Sequence, residues 1–163
     1  MKLEIFHLID RIAAIDVAAQ TIVAEADVPT ESSIFEGHFP GHPLMPGVLL
    51  IEAMAQTSGW LLIGTIARGR MPYLAAVKEA KLRTFVSPGQ TVRIDANIEH
   101  EGSGFAVTDA KISIDGKTIC NAALTFRLVP FPNDEMRRHM GIVAKKIGFP
   151  LETVAAQQTV AHE

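Results

Sequence analysis

Two side chains are placed to act as base and acid. His38 lies in the run GHFPGHPLMPG, residues 37 to 47, and Glu52 lies in the apolar run VLLIEAMAQTSGW that follows. A histidine can take a proton near neutral pH and a carboxyl can give one. The pair therefore suits removal of a proton next to a carbonyl and expulsion of a group one carbon further on. Pro40, Pro43 and Pro46, with Gly41, hold His38 on an extended loop, because proline lacks a donor and restrains its predecessor. Pro46 suits the first turn of a helix, and Gly47 lets another group approach the backbone closely. A helix beginning there offers free N–H groups and about half a positive charge to a developing anion.

Glu52 is flanked by Leu49, Ile51, Ala53 and Ala55. A carboxylate in that setting must find a partner or stay protonated, because burying it unpaired is costly. His42 follows His38 by four residues but does not form a metal pair with it. That spacing aligns two histidines only on a helix, which Pro40, Gly41 and Pro43 prevent.

The elements that must position these groups can be read from the hydrophobic pattern. Residues 48 to 67 approach the length of a membrane span, but Gln56, Thr57, Ser58 and Gly59 interrupt them. A helix buried on nearly every side by other protein segments is the better reading, and no membrane span is expected. Strands are expected over 3 to 15 and 21 to 28, with Ile22, Ala24, Ala26 and Val28 inward, and extended structure from Tyr73 to Val86 up to a turn at Pro88-Gly89. Val92, Ile94, Ala96 and Ile98 alternate with polar residues over 91 to 99. A reversal at 102 to 104 leads to a strand over 105 to 115. Asp115-Gly116 is a strong hairpin signal, and 118 to 129 forms a last strand with Cys120, Ala122, Leu124, Phe126 and Leu128 inward. One long apolar helix among six strands requires an antiparallel sheet that curls around it, an α+β arrangement. Pro130 and Pro132 then end the sheet. Met136, Met140, Val143 and Ile147 form a helical stripe, and a shorter helix is expected from Leu151 to Gln158. The chain thus divides into a domain over 1 to 129 and a C-terminal helical extension over 130 to 163.

Composition narrows the function classes. With 163 residues, 48% of them hydrophobic, the chain can bury a substantial core. A net charge of −3 argues against a general nucleic-acid binder, which needs a basic surface. The single cysteine, Cys120, leaves no internal disulfide and no cysteine-based zinc cluster. Glu4, His7, Asp10 and Arg11 interrupt any signal-peptide apolar region, so a cytoplasmic protein is expected.

The segment GHFPGHPLMPGVLLIEAMAQ, with its fourteen-residue step from His38 to Glu52, resembles the β-hydroxyacyl-acyl carrier protein dehydratases of the FabZ type. The resemblance covers roughly residues 6 to 129. It implies the hotdog fold, an antiparallel sheet wrapped around a long central helix. It also implies a homodimer with two active sites at its interface, each drawing a histidine from one subunit and a carboxylate from the other, and a trimer of dimers as a larger assembly. Carried over, His38 would remove the α-proton of a (3R)-3-hydroxyacyl thioester and Glu52 of the partner would help the hydroxyl leave as water. The Gly47 N–H, with Val48 beside it, would hold the thioester oxygen. The Leu44 carbonyl would orient the His38 ring, and Tyr73 would line or gate the acyl tunnel. No metal or redox cofactor is implied, since the substrate arrives on the phosphopantetheine of acyl carrier protein. Arg68, Arg70, Lys78, Lys81 and Arg83 would offer that acidic partner a landing patch, if they are more than a solvated surface. Val77-Lys78 stands where the family usually has an isoleucine and an acid, and the tail after residue 130 has no counterpart in its short members. Two other readings stay open: a hotdog acyl-thioesterase, which needs no loop histidine, and a non-catalytic acyl-binding protein.

Overall fold

The computed structural model describes residues 1 to 67 and 69 to 152. Six strands form one antiparallel sheet: β1 (Arg11–Asp16), β2 (Thr21–Asp27), β3 (Arg70–Leu82), β4 (Thr91–Gly102), β5 (Phe105–Ile114) and β6 (Lys117–Pro130). They lie in the order β1-β2-β4-β5-β6-β3. A short helix, α1 (Ser33–Gly37), precedes the His38 loop. The long helix α2 (Gly47–Thr65) follows it, and α3 (Asp134–Lys146) comes after the sheet.

The alternating residues are the ones that are buried. Ile22, Ala24 and Ala26 of β2, Val92, Ile94 and Ala96 of β4, and Cys120, Ala122, Leu124 and Phe126 of β6 are all at most 4% exposed. The two hairpins turn where both central residues can take positive φ, as right-twisted two-residue turns demand. Ser103 and Gly104 sit at φ 51° and 81°, and Asp115 and Gly116 at 49° and 76°.

The sheet closes around α2, burying Leu50, Ala53, Met54, Leu61 and Leu62. Each of the larger side chains contributes about 1.5–3 kcal/mol by leaving water. The polar residues inside this helix are satisfied locally. The Thr57 hydroxyl donates to the Ala53 carbonyl at 2.9 Å, and the buried Thr108 hydroxyl of β5 donates to Ser58 Oγ at 2.9 Å. Although long and apolar enough to cross a membrane, α2 is thus enclosed mostly by its own sheet.

Two local expectations are corrected, and one short helix is added that the pattern did not announce. Residues 3 to 10 are not strand: a single 3-10 turn covers Leu3–Ile5, Phe6 takes a left-handed φ of 54°, and β1 begins only at Arg11. Leu3, Leu8 and Ile9 alternate poorly because all three are core residues, each at most 2% exposed. The loop before His38 contains α1, capped by the Ser32 side chain, which accepts from the Ile34 N–H at 3.1 Å. Pro46 is the residue before the first turn of α2, with ψ 130°, and Gly47 is its first helical residue.

Beyond β6, α3 is capped by Asn133 and packs on the same core, with Ala144 and Ile147 each 1% exposed. Of the expected helix from Leu151 to Gln158, Leu151 and Glu152 are helical and the rest lies outside the described residues.

Candidate active site

The loop between α1 and α2 is folded by its own backbone. Phe39 and His42 exchange N–H···O=C bonds of 3.1 and 2.9 Å, and the Leu44 N–H donates to the His38 carbonyl at 2.8 Å. Met45 N–H donates to the Val86 carbonyl at 2.8 Å, tying the loop to the segment after β3. On this frame the His38 ring stacks on Phe39, centroids 4.2 Å apart, and Nδ1 lies 3.0 Å from the Leu44 carbonyl oxygen. A carbonyl can only accept, so the proton sits on Nδ1 and Nε2 carries the free lone pair of a base.

His38 opens into a cavity of about 400 Å³ that also contains Leu44, Gly47, Leu50, Leu82 and Phe85. At the start of α2 the Leu49 and Leu50 N–H groups both reach the Pro46 carbonyl, at 3.0 and 3.4 Å. The N–H groups of Gly47 and Val48 have no acceptor among the described residues. Of the two, Gly47 lines the His38 cavity, and a free donor at a helix N-terminus beside a group that can take a proton suits an oxygen that gains negative charge. The Leu82 side chain stands where a side chain on Gly47 would go.

Glu52 lies five residues further along α2 and lines a different cavity, of about 570 Å³. It is partly buried, and its Oε1 accepts from Gln56 Nε2 at 3.1 Å. Gln56 also donates to the Phe6 carbonyl at 2.7 Å, and its Oε1 accepts from the Leu8 N–H at 3.1 Å. One amide therefore ties the N-terminal turn to the helix and to the acid. Sequence reasoning treated Gln56 only as a polar interruption; its spacing of four residues from Glu52, one helical turn, was the available signal.

No residue is shared between the linings of the two cavities. A single chain places His38 with Leu44 and Gly47, and Glu52 apart from them. Tyr73 lies on β3, 43% exposed, and lines neither cavity. Val48 is 71% exposed at the head of an otherwise enclosed helix. The adjoining edge strand β3 and the segment after it leave Leu74, Val77, Leu82 and Phe85 in solvent. Lys78, Lys81 and Arg83 of the basic stretch are exposed; Arg68 lies outside the described residues.

Residues 2–123 match the FabA-like domain family. The chain is 39% identical over 121 residues to the 3-hydroxyacyl-[acyl-carrier-protein] dehydratase FabZ of Fusobacterium nucleatum, covering 74% of this chain and 85% of that protein. It is 37% identical over 122 residues to the enzyme of the same name from Ligilactobacillus salivarius, covering 74% and 86%. Among solved structures it resembles a hypothetical protein of Staphylococcus aureus, with TM-score 0.62, 19% identity and coverage of 79% and 98%. It also resembles a hypothetical thioesterase of Streptococcus pneumoniae solved with coenzyme A, with TM-score 0.57, 16% identity and coverage of 76% and 90%. At such identities these structures speak to the hotdog fold alone. Fold, loop and extent of match agree: the chain belongs to the FabA-like family.

Proposed function

We infer that this protein is a 3-hydroxyacyl-[acyl-carrier-protein] dehydratase that eliminates water reversibly from (3R)-3-hydroxyacyl thioesters to give trans-2-enoyl thioesters. The observation that carries the reading is the His38 cavity, which is lined both by His38, with its lone pair on Nε2, and by Gly47, whose free N–H opens α2. The FabZ relatives, similar over three quarters of the chain, supply the substrate class.

His38 Nε2 takes the α-proton, and the electron pair of that C–H bond moves toward the thioester carbonyl. The Gly47 N–H, with Val48 beside it, stabilises the oxygen that gains charge. Return of the pair forms the α,β double bond and breaks the bond to the β-hydroxyl, which departs as water with a proton from Glu52. The site resets when His38 loses its proton and Glu52 regains one. The thioester supplies the activation, so neither metal nor redox cofactor is required.

Glu52 reaches this reaction from a partner subunit. The separate cavities of His38 and Glu52, the bare Val48 and the apolar edge along β3 support a homodimer in which each site is completed across the interface. A trimer of dimers could be built from the same pair. Tyr73, exposed on β3, would meet the acyl tunnel only there. Lys78, Lys81 and Arg83 offer a basic approach for the acidic carrier protein and its phosphopantetheine. The enzyme is soluble and works in the cytoplasm.

The test is the absorbance of the conjugated enoyl thioester formed from 3-hydroxyacyl substrates on carrier protein. Wild type is expected to turn over, and His38→Ala and Glu52→Gln to be silent while folded. Absence of turnover in wild type at every chain length, with hydrolysis of the thioester instead, would replace the dehydratase by a thioesterase.

A further inference from the structure

The match to the family ends at residue 123, before α3, and α3 forms a wall of the Glu52 cavity. The floor of that cavity is one stripe of α2: Glu52, Ala55, Gly59 and Ile63 recur at three- and four-residue steps and all line it. Met140 and Val143, both partly buried against the core, stand across from the floor. From Glu52 to Ile63 the stripe covers three turns, roughly 16 Å of helix. Besides Glu52, the ionisable groups on the walls are His7, His139 and Lys146, so Glu52 is the one acid among the described lining residues.

This wall is fixed in place. The Trp60 ring of α2 packs on Phe149 beyond α3, centroids 5.1 Å apart. The Ile12 N–H of β1 donates to the Ile147 carbonyl at 2.8 Å, joining the end of the helix to the sheet edge.

The chemistry of the substrate ties the cavity to the chain it carries. In a 3-hydroxyacyl thioester the departing hydroxyl and the rest of the alkyl chain are attached to the same carbon. A cavity that brings Glu52 to the hydroxyl must therefore also receive the first carbons of the chain. We propose that α3 closes the Glu52 cavity into an apolar sleeve for the acyl chain, in which Gly59 on the floor and Met140 and Val143 on the wall set the chain length accepted. The inference rests on the dehydratase reading and adds a specificity role for a segment outside the family match.

Gly59 is the point where the sleeve can be filled. A Cβ there would meet only the Pro72 ring, at an ordinary 3.8 Å, so the backbone accepts a side chain whose branches project into the cavity. The experiment measures kcat and KM for 3-hydroxybutyryl, 3-hydroxydecanoyl and 3-hydroxyhexadecanoyl carrier protein with wild type, Gly59→Leu, Met140→Trp and Met140→Ala/Val143→Ala. The two filling variants are expected to lower the decanoyl-to-butyryl ratio of kcat/KM by about fiftyfold, the worth of some three buried methylene groups, mainly through KM. The opening variant is expected to shift the ratio the other way, toward hexadecanoyl, which a merely structural role for α3 would not do. Turnover in wild type with the same chain-length profile in all three variants would overturn the sleeve and leave the dehydratase standing. No turnover in wild type at any length would overturn the dehydratase and the sleeve with it.

Discussion

His38 and Leu44 hold each other twice: the Leu44 N–H donates to the His38 carbonyl at 2.8 Å, and His38 Nδ1 donates to the Leu44 carbonyl at 3.0 Å. The first bond closes the loop, and the second, made by the ring of the same residue, sets its tautomer. Replacing the ring while keeping the backbone should therefore abolish chemistry and spare the fold. His38→Ala is expected to lose at least about 10² to 10⁴ in kcat for enoyl formation, the usual worth of a positioned base. Its thermal melting should stay close to wild type. A variant that melts normally and still turns over would remove His38 from the role of base.

The oxyanion role proposed for Gly47 can be tested without destroying the helix, because proline is accepted at a first helical position and Pro46 already has the extended ψ of 130° that a following proline requires. Since the Leu82 side chain occupies the space beside Gly47, the substitution is made in a Leu82→Ala background. Gly47→Pro in that background deletes one N–H and is expected to lower kcat by about 10² to 10³ relative to Leu82→Ala alone. An unchanged kcat would assign Gly47 to close packing only.

Gln56 gives a stability prediction. Gln56→Ala strips the partner from the N–H of Leu8, a residue with no exposed surface, and from the Phe6 carbonyl. Leaving such a donor unpaired costs about 1–3 kcal/mol, read as a lower denaturant midpoint at unchanged slope. The same variant frees Glu52 from its hydrogen bond, so kcat should also fall. Unaltered stability would mean that water replaces the amide without loss.

His7 gives a pH prediction. Burial first, then the charge of Lys146, hold its imidazole below the ordinary value of 6.5, against an opposing pull from Asp10. Between the folded value and 6.5 the unfolded chain thus binds more protons, so stability rises with pH and is lost as pH falls through 6.5 toward the folded value. Thermal melts of wild type should drop over this window, and those of His7→Gln should drop less. Parallel curves would exclude His7 as the source.

Much of this was legible in the residue pattern, and the exceptions have physical reasons. Val92 to Ile98 and Cys120 to Leu128 alternate because one face of the sheet meets α2, and period two is unambiguous over such lengths. The Pro- and Gly-rich loop announced a rigid setting for His38. Residues 3 to 10 misled because Leu3, Leu8 and Ile9 plug the core from a turn, and apolar spacing does not distinguish a plug from a strand. The short α1 was missed because five residues are too few to show a helical period, although Ser32 carried the cap. The separation of His38 from Glu52 into two cavities could not be read from a fourteen-residue spacing, since it depends on which face of α2 each neighbour covers.

The most direct test of the account mixes two inactive proteins. His38→Ala and Glu52→Gln are each purified, confirmed as folded dimers, allowed to exchange subunits and assayed together for enoyl formation. If each site takes His38 from one subunit and Glu52 from the other, half of a random mixture is heterodimer with one of its two sites intact, and roughly a quarter of wild-type turnover returns. A mixture that has exchanged subunits yet stays as silent as its parts would contradict a site shared between His38 and the partner's Glu52.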